Sequence, residues 1–231
     1  MNTGSVLFFN SEPAQRFAGE LSARGTAAQV APSPTLVSPP DPRAWHRAVS
    51  ELALFNWLLL PTPEAAEVLI ESIGAPPGPT LRIAAVSPAG DVLRAEGRTS
   101  EVEAPGLRAA LERLTGRLGR RERILVPHCA AAGRRVGEWL EALGAEAVCR
   151  IAYDLDLTAE PLESPEPYAA VVASTAEAET LASYLLAERV RDPLPVAALD
   201  QATADAAEDC GLSVSAISPD GLGAFLDSAV R

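Results

Sequence analysis

An internal repeat limits the fold of this chain more than any other feature of its sequence. Three segments of the first half recur in the same order in the second half, each displaced by roughly 115 residues. The paired segments begin at Val6 and Ile124, at Leu58 and Ala170, and at Ile83 and Val196. A repeat of this length has the size of a domain and is much longer than a solenoid unit. We therefore expect two similar lobes with one ligand cleft between them.

Each repeat unit has the pattern of a strand, a tight turn and a helix. The predicted strands are short, continuously apolar and bounded by polar residues, as in parallel sheets that are covered on both faces. They are Ser5–Phe9, Trp57–Leu60, Arg82–Val86, Arg123–Val126, Ala169–Ala173 and Val196–Leu199. Clusters of Pro, Ser, Thr or Asp follow them, which is typical of helix N-caps, and lead into helix-forming stretches such as Glu64–Ile73 and Ala176–Glu188. The predicted fold class is α/β, with a parallel sheet flanked by helices in each lobe and ligands bound beyond the carboxyl ends of the strands.

Two proline-rich stretches, within residues 35–42 and 157–167, indicate where the chain crosses between the lobes. With linker crossings at residues 38–41 and 153–160, the first lobe is discontinuous. The predicted lobes are residues 1–37 with 161–231, and residues 42–152. The alternative is that both stretches are ordinary surface loops of one large sheet.

Composition excludes several classes of function. The chain has 231 residues, of which 48% are hydrophobic, so it is long enough for two modest cores. Its net charge of -12 argues against nucleic acid, which needs a basic surface. Lysine is absent, which excludes a Schiff-base lysine and a P-loop lysine.

Targeting and metal signals are also missing from the sequence. No apolar run approaches the roughly 20 residues of a membrane span, and the N-terminus lacks signal-peptide features, so we expect a cytoplasmic protein. Cys129, Cys149 and Cys210 have no metal-ligand spacing, and we expect them to be small buried hydrophobic residues.

The order of the segments resembles the uroporphyrinogen-III synthase family over almost the whole chain. The resemblance rests on the N-terminal strand and helix, the proline-rich crossing, and four later segments: residues 55–62, 82–86, 143–153 and 196–204. It implies a two-lobed fold with a broad cleft and no metal or organic cofactor. It also implies a cyclising lyase of haem biosynthesis, which closes hydroxymethylbilane into uroporphyrinogen III with loss of water and inversion of ring D.

The resemblance assigns roles to individual positions. The family's tyrosine at the end of a strand falls on Tyr153, which we take as the catalytic residue. The serine or threonine that ends a strand falls on Thr62 in the second lobe and on Ser174 in the first. The Gly-x-x-Thr-Ala turn falls on residues 200–204, keeping the threonine but losing the glycine, and on residues 87–91, losing both. Where the family usually has an arginine after the first strand, this chain has an asparagine.

The substrate carries eight carboxylates, which suit exposed N–H groups at helix N-termini. A tyrosine hydroxyl can donate a hydrogen bond to the departing hydroxyl group of the substrate. The predicted substrate-binding residues are Asn10, Thr62, Pro63, Ser87, His128, Arg134, Ser174, Thr175, Thr203 and Ala204.

Each assignment has a structural alternative. Tyr153 can pack its ring and hydrogen-bond a hinge, and the hydroxyl residues can be ordinary N-caps. His128, predicted at a strand end facing the cleft, has no evident catalytic partner, and Arg134 can face solvent from its helix.

Two other classes of protein remain open. The lost turn residues fit a non-catalytic homologue that binds a tetrapyrrole or another anion, and the repeat alone fits a two-lobed receptor of the periplasmic kind, which the missing signal peptide disfavours. For the synthase we expect a monomer that receives hydroxymethylbilane, by transfer from hydroxymethylbilane synthase, and that binds neither nucleic acid nor membrane.

Overall fold

Two five-stranded parallel sheets organise the chain. The computed structural model describes residues 5–11, 19, 21–23, 25–73, 81–119, 121–156, 167–187 and 194–217. The chain divides into two units, of which the first combines Met1–Thr35 with Asp156–Arg231 and the second is Leu36–Leu155. Each unit contains one of the two sheets, with helices between its strands. The predicted α/β class, with two parallel sheets flanked by helices, is confirmed.

The elements follow in the order that the repeat predicts. The strands are β1 (Ser5–Phe9), β2 (Ala27–Ala31), β3 (Thr35–Val37), β4 (Trp57–Leu60), β5 (Arg82–Val86), β6 (Val102–Ala104), β7 (Arg123–His128), β8 (Glu146–Ile151), β9 (Asp154–Asp156), β10 (Pro167–Val172), β11 (Pro195–Ala198) and β12 (Ser213–Ile217). The helices are α1 (Pro42–Ser50), α2 (Pro63–Ile73), α3 (Ser87–Ala95), α4 (Leu107–Thr115), α5 (Arg134–Ala142), α6 (Thr175–Ala187) and α7 (Gln201–Asp209), and a 3₁₀ turn, Leu52–Leu54, follows α1. Residues 21–23 are also helical.

The sheet of the first unit has the strand order β12-β11-β10-β1-β2. β1 pairs in parallel with β10, with Val6 opposite Ala169 and Leu7 opposite Ala170. Successive residues of β1 point to opposite faces, so Leu7 packs into one buried cluster and Val6 into another. The N-terminal strand is therefore a central strand of a sheet that is completed by the last third of the chain.

The sheet of the second unit has the strand order β6-β5-β4-β7-β8. All four residues of β4 are fully buried, because the strand lies in the middle of the sheet and helices cover both faces. β8 is an edge strand and leads directly into Ala152 and Tyr153. The following strand, β9, pairs with β3 in a separate two-stranded sheet.

A cluster of charged and aromatic side chains fixes the amino end of the second sheet. The indole Nε1 of Trp57 donates to Glu122 Oε2 at 2.9 Å, and the guanidinium of Arg82 pairs with the other Glu122 oxygen. The same guanidinium lies 4.3 Å from the centre of the Trp57 ring. This cluster stabilises β4 and β5 at the end of the sheet opposite to the expected site.

Candidate functional site

Thr62 and Tyr153 share a hydrogen bond near the carboxyl end of β4. Thr62 Oγ1 and the Tyr153 hydroxyl lie 2.8 Å apart, and either group can be the donor. Thr62 Oγ1 also accepts a bond from the Ala65 N–H at 3.3 Å, so it caps the start of α2. Thr62 is 2% exposed and Tyr153 is 0% exposed. The pair therefore joins the start of α2 to the segment that follows β8.

The burial of Tyr153 limits what its phenol contacts in this conformation. The hydroxyl is bonded to Thr62, and the ring is inside the second unit. A cavity of about 700 Å³ lies next to the preceding residue, Ala152, and is also lined by Trp45 and Ser72. The phenol of Tyr153 therefore has a buried partner within the second unit in this conformation.

Pro63 and Ser87 are the first residues of α2 and α3, the helices that follow β4 and β5. Both are half-buried. A proline suits the first position of a helix, where its missing N–H has no partner to lose. At the other end of α3, the Arg94 guanidinium pairs with two carboxylates, one of them from Glu103. The charge of Arg94 is therefore already balanced within this unit.

His128 ends β7 and packs directly against Gly133, the residue that precedes α5. A Cβ atom at Gly133 would lie only 2.4 to 2.6 Å from three ring atoms of His128, and Gly133 has a φ of +89°. Nδ1 of His128 lies 2.6 Å from the Cys129 carbonyl oxygen, and because a carbonyl only accepts, Nδ1 carries the proton. The imidazole is thus held, 8% exposed, at the start of α5. Arg134 is the first residue of α5, and its side chain lies outside the described residues.

Asn10, Ser174 and Thr175 follow the neighbouring strands β1 and β10 of the first unit. Asn10 is exposed; its N–H donates to the carbonyl of Ala31 at 2.7 Å. Ser174 Oγ accepts from the N–H of Glu177 at 3.2 Å and caps α6, whereas Thr175 is 4% exposed. Two adjacent strand ends in this unit therefore carry polar side chains.

Thr203 and Ala204 lie in the first turn of α7, and each is 1% exposed. Asp200 caps this helix, because its Oδ1 accepts from the Thr203 N–H at 2.7 Å. The N–H of Thr203 is therefore already bonded within the protein. A substrate carboxylate at this turn would need another donor.

Glu177 belongs to the same region, although the sequence analysis did not select it. It is 2% exposed, and its Oε2 accepts from the Ala173 N–H at 2.6 Å. Burial raises the pKa of this carboxyl, while the Ala173 N–H and the Ser11 hydroxyl act in the opposite direction. The spacing Ser174-Thr175-Ala176-Glu177 is that of a capping box and was the available signal.

The described residues contain neither a cluster of metal ligands nor a membrane-spanning helix. Within the described ranges, no group of three or more His, Cys, Asp or Glu side chains could hold a metal ion. None of the three cysteines is in a disulfide; Cys129 is buried as expected, whereas Cys149 and Cys210 are only half-buried. In the same part of the chain, none of the helices has the length and apolar character needed to cross a bilayer.

Both units thus place small polar residues and helix starts at the carboxyl ends of parallel strands. This edge is where α/β sheets bind ligands, and helix N-termini favour anionic groups. The chain is therefore an α/β protein with two parallel sheets, each with candidate site residues at the carboxyl ends of its strands.

Comparisons with known proteins give the family. The model for "Uroporphyrinogen-III synthase HemD" matches residues 15–221, so the chain belongs to the uroporphyrinogen-III synthase family. The family predicted from the sequence is confirmed, and with it the assignment of a cyclising lyase that forms a tetrapyrrole ring.

Solved structures of this family have the same fold. The uroporphyrinogen III synthase of Thermus thermophilus aligns with 98% of this chain and 100% of its own, with a TM-score of 0.53 and 17% identity. A mutant of the Thermus thermophilus enzyme aligns with 99% of this chain and 98% of its own, with a TM-score of 0.55 and 17% identity. Curated protein sequences give no match.

Proposed function

We propose that the chain closes hydroxymethylbilane into uroporphyrinogen III, with loss of water and inversion of ring D, and that Tyr153 assists departure of the substrate hydroxyl group. The observation that carries the proposal is the Thr62–Tyr153 hydrogen bond at the carboxyl end of β4, in a chain that belongs to this family. A tyrosine at this position is a hydrogen-bond donor that needs no other residue to activate it.

The phenol of Tyr153 changes partner in this proposal. It leaves Thr62 and gives its proton to the hydroxyl group of the substrate, whose C–O bond breaks to release water; the proton lost from the substrate on ring closure restores the phenol. Thr62 keeps its bond from the Ala65 N–H during the exchange, so the start of α2 does not lose its cap. The exchange leaves the Thr62 hydroxyl without its phenol partner, and the binding of the substrate offsets that cost.

The strand ends hold the carboxylates of the substrate. In the second unit, the proposed contacts come from the starts of α2, α3 and α5, where Thr62, Pro63, Ser87, His128 and Arg134 lie. In the first unit, they come from the ends of β1 and β10 and the start of α7, where Asn10, Ser174, Thr175, Thr203 and Ala204 lie. The eight carboxylates of the substrate offer more anionic groups than one helix start can bind. Restraining the substrate in a curled form favours ring closure by positioning alone.

The proposal extends to the setting of the reaction. No metal or organic cofactor takes part, the enzyme acts as a monomer in the cytoplasm, and hydroxymethylbilane passes to it from hydroxymethylbilane synthase. The absence of lysine from the sequence supports a mechanism without a Schiff base.

The test is to generate hydroxymethylbilane with its synthase, add the chain, and separate the uroporphyrinogen isomers. The type III isomer is expected in excess over the type I isomer, which forms by unassisted closure. Binding of the substrate with only the type I isomer formed, at the uncatalysed rate, would instead identify a non-catalytic homologue.

A further inference from the structure

The carboxylate of Glu177 connects the end of a strand to the first turn of the next helix. Its Oε2 accepts from the Ala173 N–H, the residue after β10, at 2.6 Å. Its own N–H donates to Ser174 Oγ at 3.2 Å. These two bonds hold the two residues between β10 and α6, Ala173 and Ser174, in one arrangement.

The end of β1 lies next to the same carboxylate. β1 and β10 are paired with Leu7 opposite Ala170, so Ser11 follows β1 at the level where Ser174 follows β10. The Ser11 hydroxyl lies close enough to Glu177 to lower the pKa of its carboxyl, although it falls short of full hydrogen-bond geometry. Glu177 is therefore placed where two neighbouring strands end, among the residues proposed to bind substrate.

The equivalent helix of the second unit begins without such a carboxylate. When the two segments are aligned on their N-cap residues, Thr62 and Ser174, Ala65 aligns with Glu177. In that unit the cap is completed by the bond between Thr62 and Tyr153 instead. Since α2 starts regularly with an alanine at this position, capping alone does not require Glu177.

Keeping a carboxylate at this buried position has a cost in stability. Burial is the largest influence on Glu177, and it raises the pKa of the carboxyl. A carboxyl with a raised folded-state pKa stabilises the fold at low pH, and that contribution is lost as the pH rises through the folded-state pKa. The contribution of this carboxyl to stability therefore decreases as the pH rises, whereas that of an uncharged side chain of the same size does not change. Ionisable groups retained in such surroundings are concentrated at functional sites.

We propose that Glu177 is a positioning residue for the cyclisation, whose carboxylate holds the turn from Ala173 to Thr175 in the geometry that receives a substrate carboxylate. This inference rests on the proposed function. Glu177 acts through the turn and has no direct contact with the reacting atoms. Its loss therefore weakens the binding of the substrate and of the transition state equally, which raises KM and leaves kcat largely unchanged.

Glu177→Gln tests the proposal, with Glu67→Gln, an exposed glutamate of α2, as the matched control. The amide keeps the size of the side chain and one acceptor oxygen but removes the charge and the second acceptor. We expect KM for hydroxymethylbilane to rise about fivefold, because a turn that is held less firmly binds the substrate more weakly, with kcat within about threefold. We also expect the Tm of Glu177→Gln relative to that of the wild type to rise as the pH rises. Glu67→Gln should leave KM, kcat and Tm unchanged.

Three results would overturn the proposal. The first is an unchanged KM, and the second is a fall in Tm together with kcat, which would show a purely structural role. The third is a lower KM, which would show that the carboxylate only repels the anionic substrate.

If the wild type forms no uroporphyrinogen III, the proposed function fails. The inference is then decided by the binding of uroporphyrin III, an octacarboxylate, followed by fluorescence quenching. The wild type must then bind this probe at least about fivefold more tightly than Glu177→Gln, and equal binding overturns the inference.

Discussion

The hydroxyl of Thr62 lies 2.8 Å from the phenolic oxygen of Tyr153, although 91 positions separate the two residues in the sequence. The bond connects the cap of α2 with the segment that follows the edge strand β8. Because both residues are buried, the bond forms in surroundings where an unpaired hydroxyl is costly. The same two side chains are thus tied to the stability of the second unit and to its proposed chemistry.

The Thr62–Tyr153 pair should behave as a coupled unit in unfolding experiments. Thr62→Val and Tyr153→Phe are each expected to lower the free energy of unfolding by about 1 kcal/mol, with a larger loss for Thr62→Val because it also removes the helix cap. The double variant should lose less than the sum of the two, by about 1 kcal/mol, since both changes break the same bond. Urea denaturation measures all four proteins. Strict additivity of the two losses would contradict the bond.

Gly133→Ala should be among the most damaging small substitutions in the second unit. Its φ of +89° is strained for alanine, and the new Cβ would overlap the His128 ring at 2.4 to 2.6 Å. We expect a loss of about 2 to 4 kcal/mol in the free energy of unfolding, from strain and overpacking together. Gly144→Ala is the control, because Gly144 has a similar φ of +82° but nothing within 4 Å of the added Cβ. It should lose only about 1 kcal/mol. Equal losses at the two positions would mean that the His128 ring moves aside at no cost.

Because of Glu122, the free energy of unfolding should decrease as the pH falls in the acid range. Burial alone would raise its carboxyl pKa, but the Gly119 N–H, the Trp57 indole and the Arg82 guanidinium together hold the pKa below its ordinary value. The stabilisation is therefore present above the ordinary pKa of glutamate and is lost as the pH falls through the lowered folded-state value. Glu122→Gln should lower the free energy of unfolding by about 1 kcal/mol at pH 7, and the difference should shrink below about pH 4.

The control for Glu122→Gln is Glu141→Gln, at an exposed position of α5. It should change the free energy of unfolding by less than about 0.5 kcal/mol at either pH. If the difference in the free energy of unfolding between wild type and Glu122→Gln stays constant between pH 7 and pH 3, the Glu122 side chain stabilises the fold by packing and not by its charge.

Ser174→Ala and Thr203→Val should weaken substrate binding more than they slow turnover. Their positions at the starts of α6 and α7 are proposed to hold carboxylates in the ground state and in the transition state alike. KM for hydroxymethylbilane should therefore rise by about threefold to tenfold, with kcat nearly unchanged. Ser174→Ala should also lose about 1 kcal/mol of stability with the helix cap. A fall in kcat with KM unchanged would show that these hydroxyls act only in the transition state.

The sequence predicted the central strands well and the edge strands poorly, for a physical reason. β1, β4 and β5 have the predicted limits because strands buried on both faces are continuously apolar. β12, at a sheet edge, is partly exposed and carries polar residues, so it lacks that signal and was not predicted. β8, the edge strand of the other sheet, was implied only by the family resemblance, as a strand that ends at Tyr153, whereas it ends at Ile151.

Features of the candidate site were likewise predictable where they depend on neighbouring residues in the sequence, and not where they depend on the fold. Thr62 and Ser174 could be identified because an N-cap is a local pattern of sequence. The contact between Thr62 and Tyr153 could not be predicted, because it depends on how β8 is placed in the sheet. Glu177 has a local signal, the capping-box spacing, but its burial between two strand ends is a property of the fold alone.

The rate and isomer composition of the product formed by Tyr153→Phe test the account most directly. Wild type and variant are compared at saturating hydroxymethylbilane, with circular dichroism to confirm that both are folded. The account predicts that wild type forms mainly the type III isomer and that Tyr153→Phe forms it about tenfold to a thousandfold more slowly, the range for one lost hydrogen-bonding or general-acid contribution. The type I isomer should then make up a larger share, because released substrate closes unassisted. Full retention of the type III rate by Tyr153→Phe would show that the phenol only packs and caps through Thr62, and would contradict its role in the reaction.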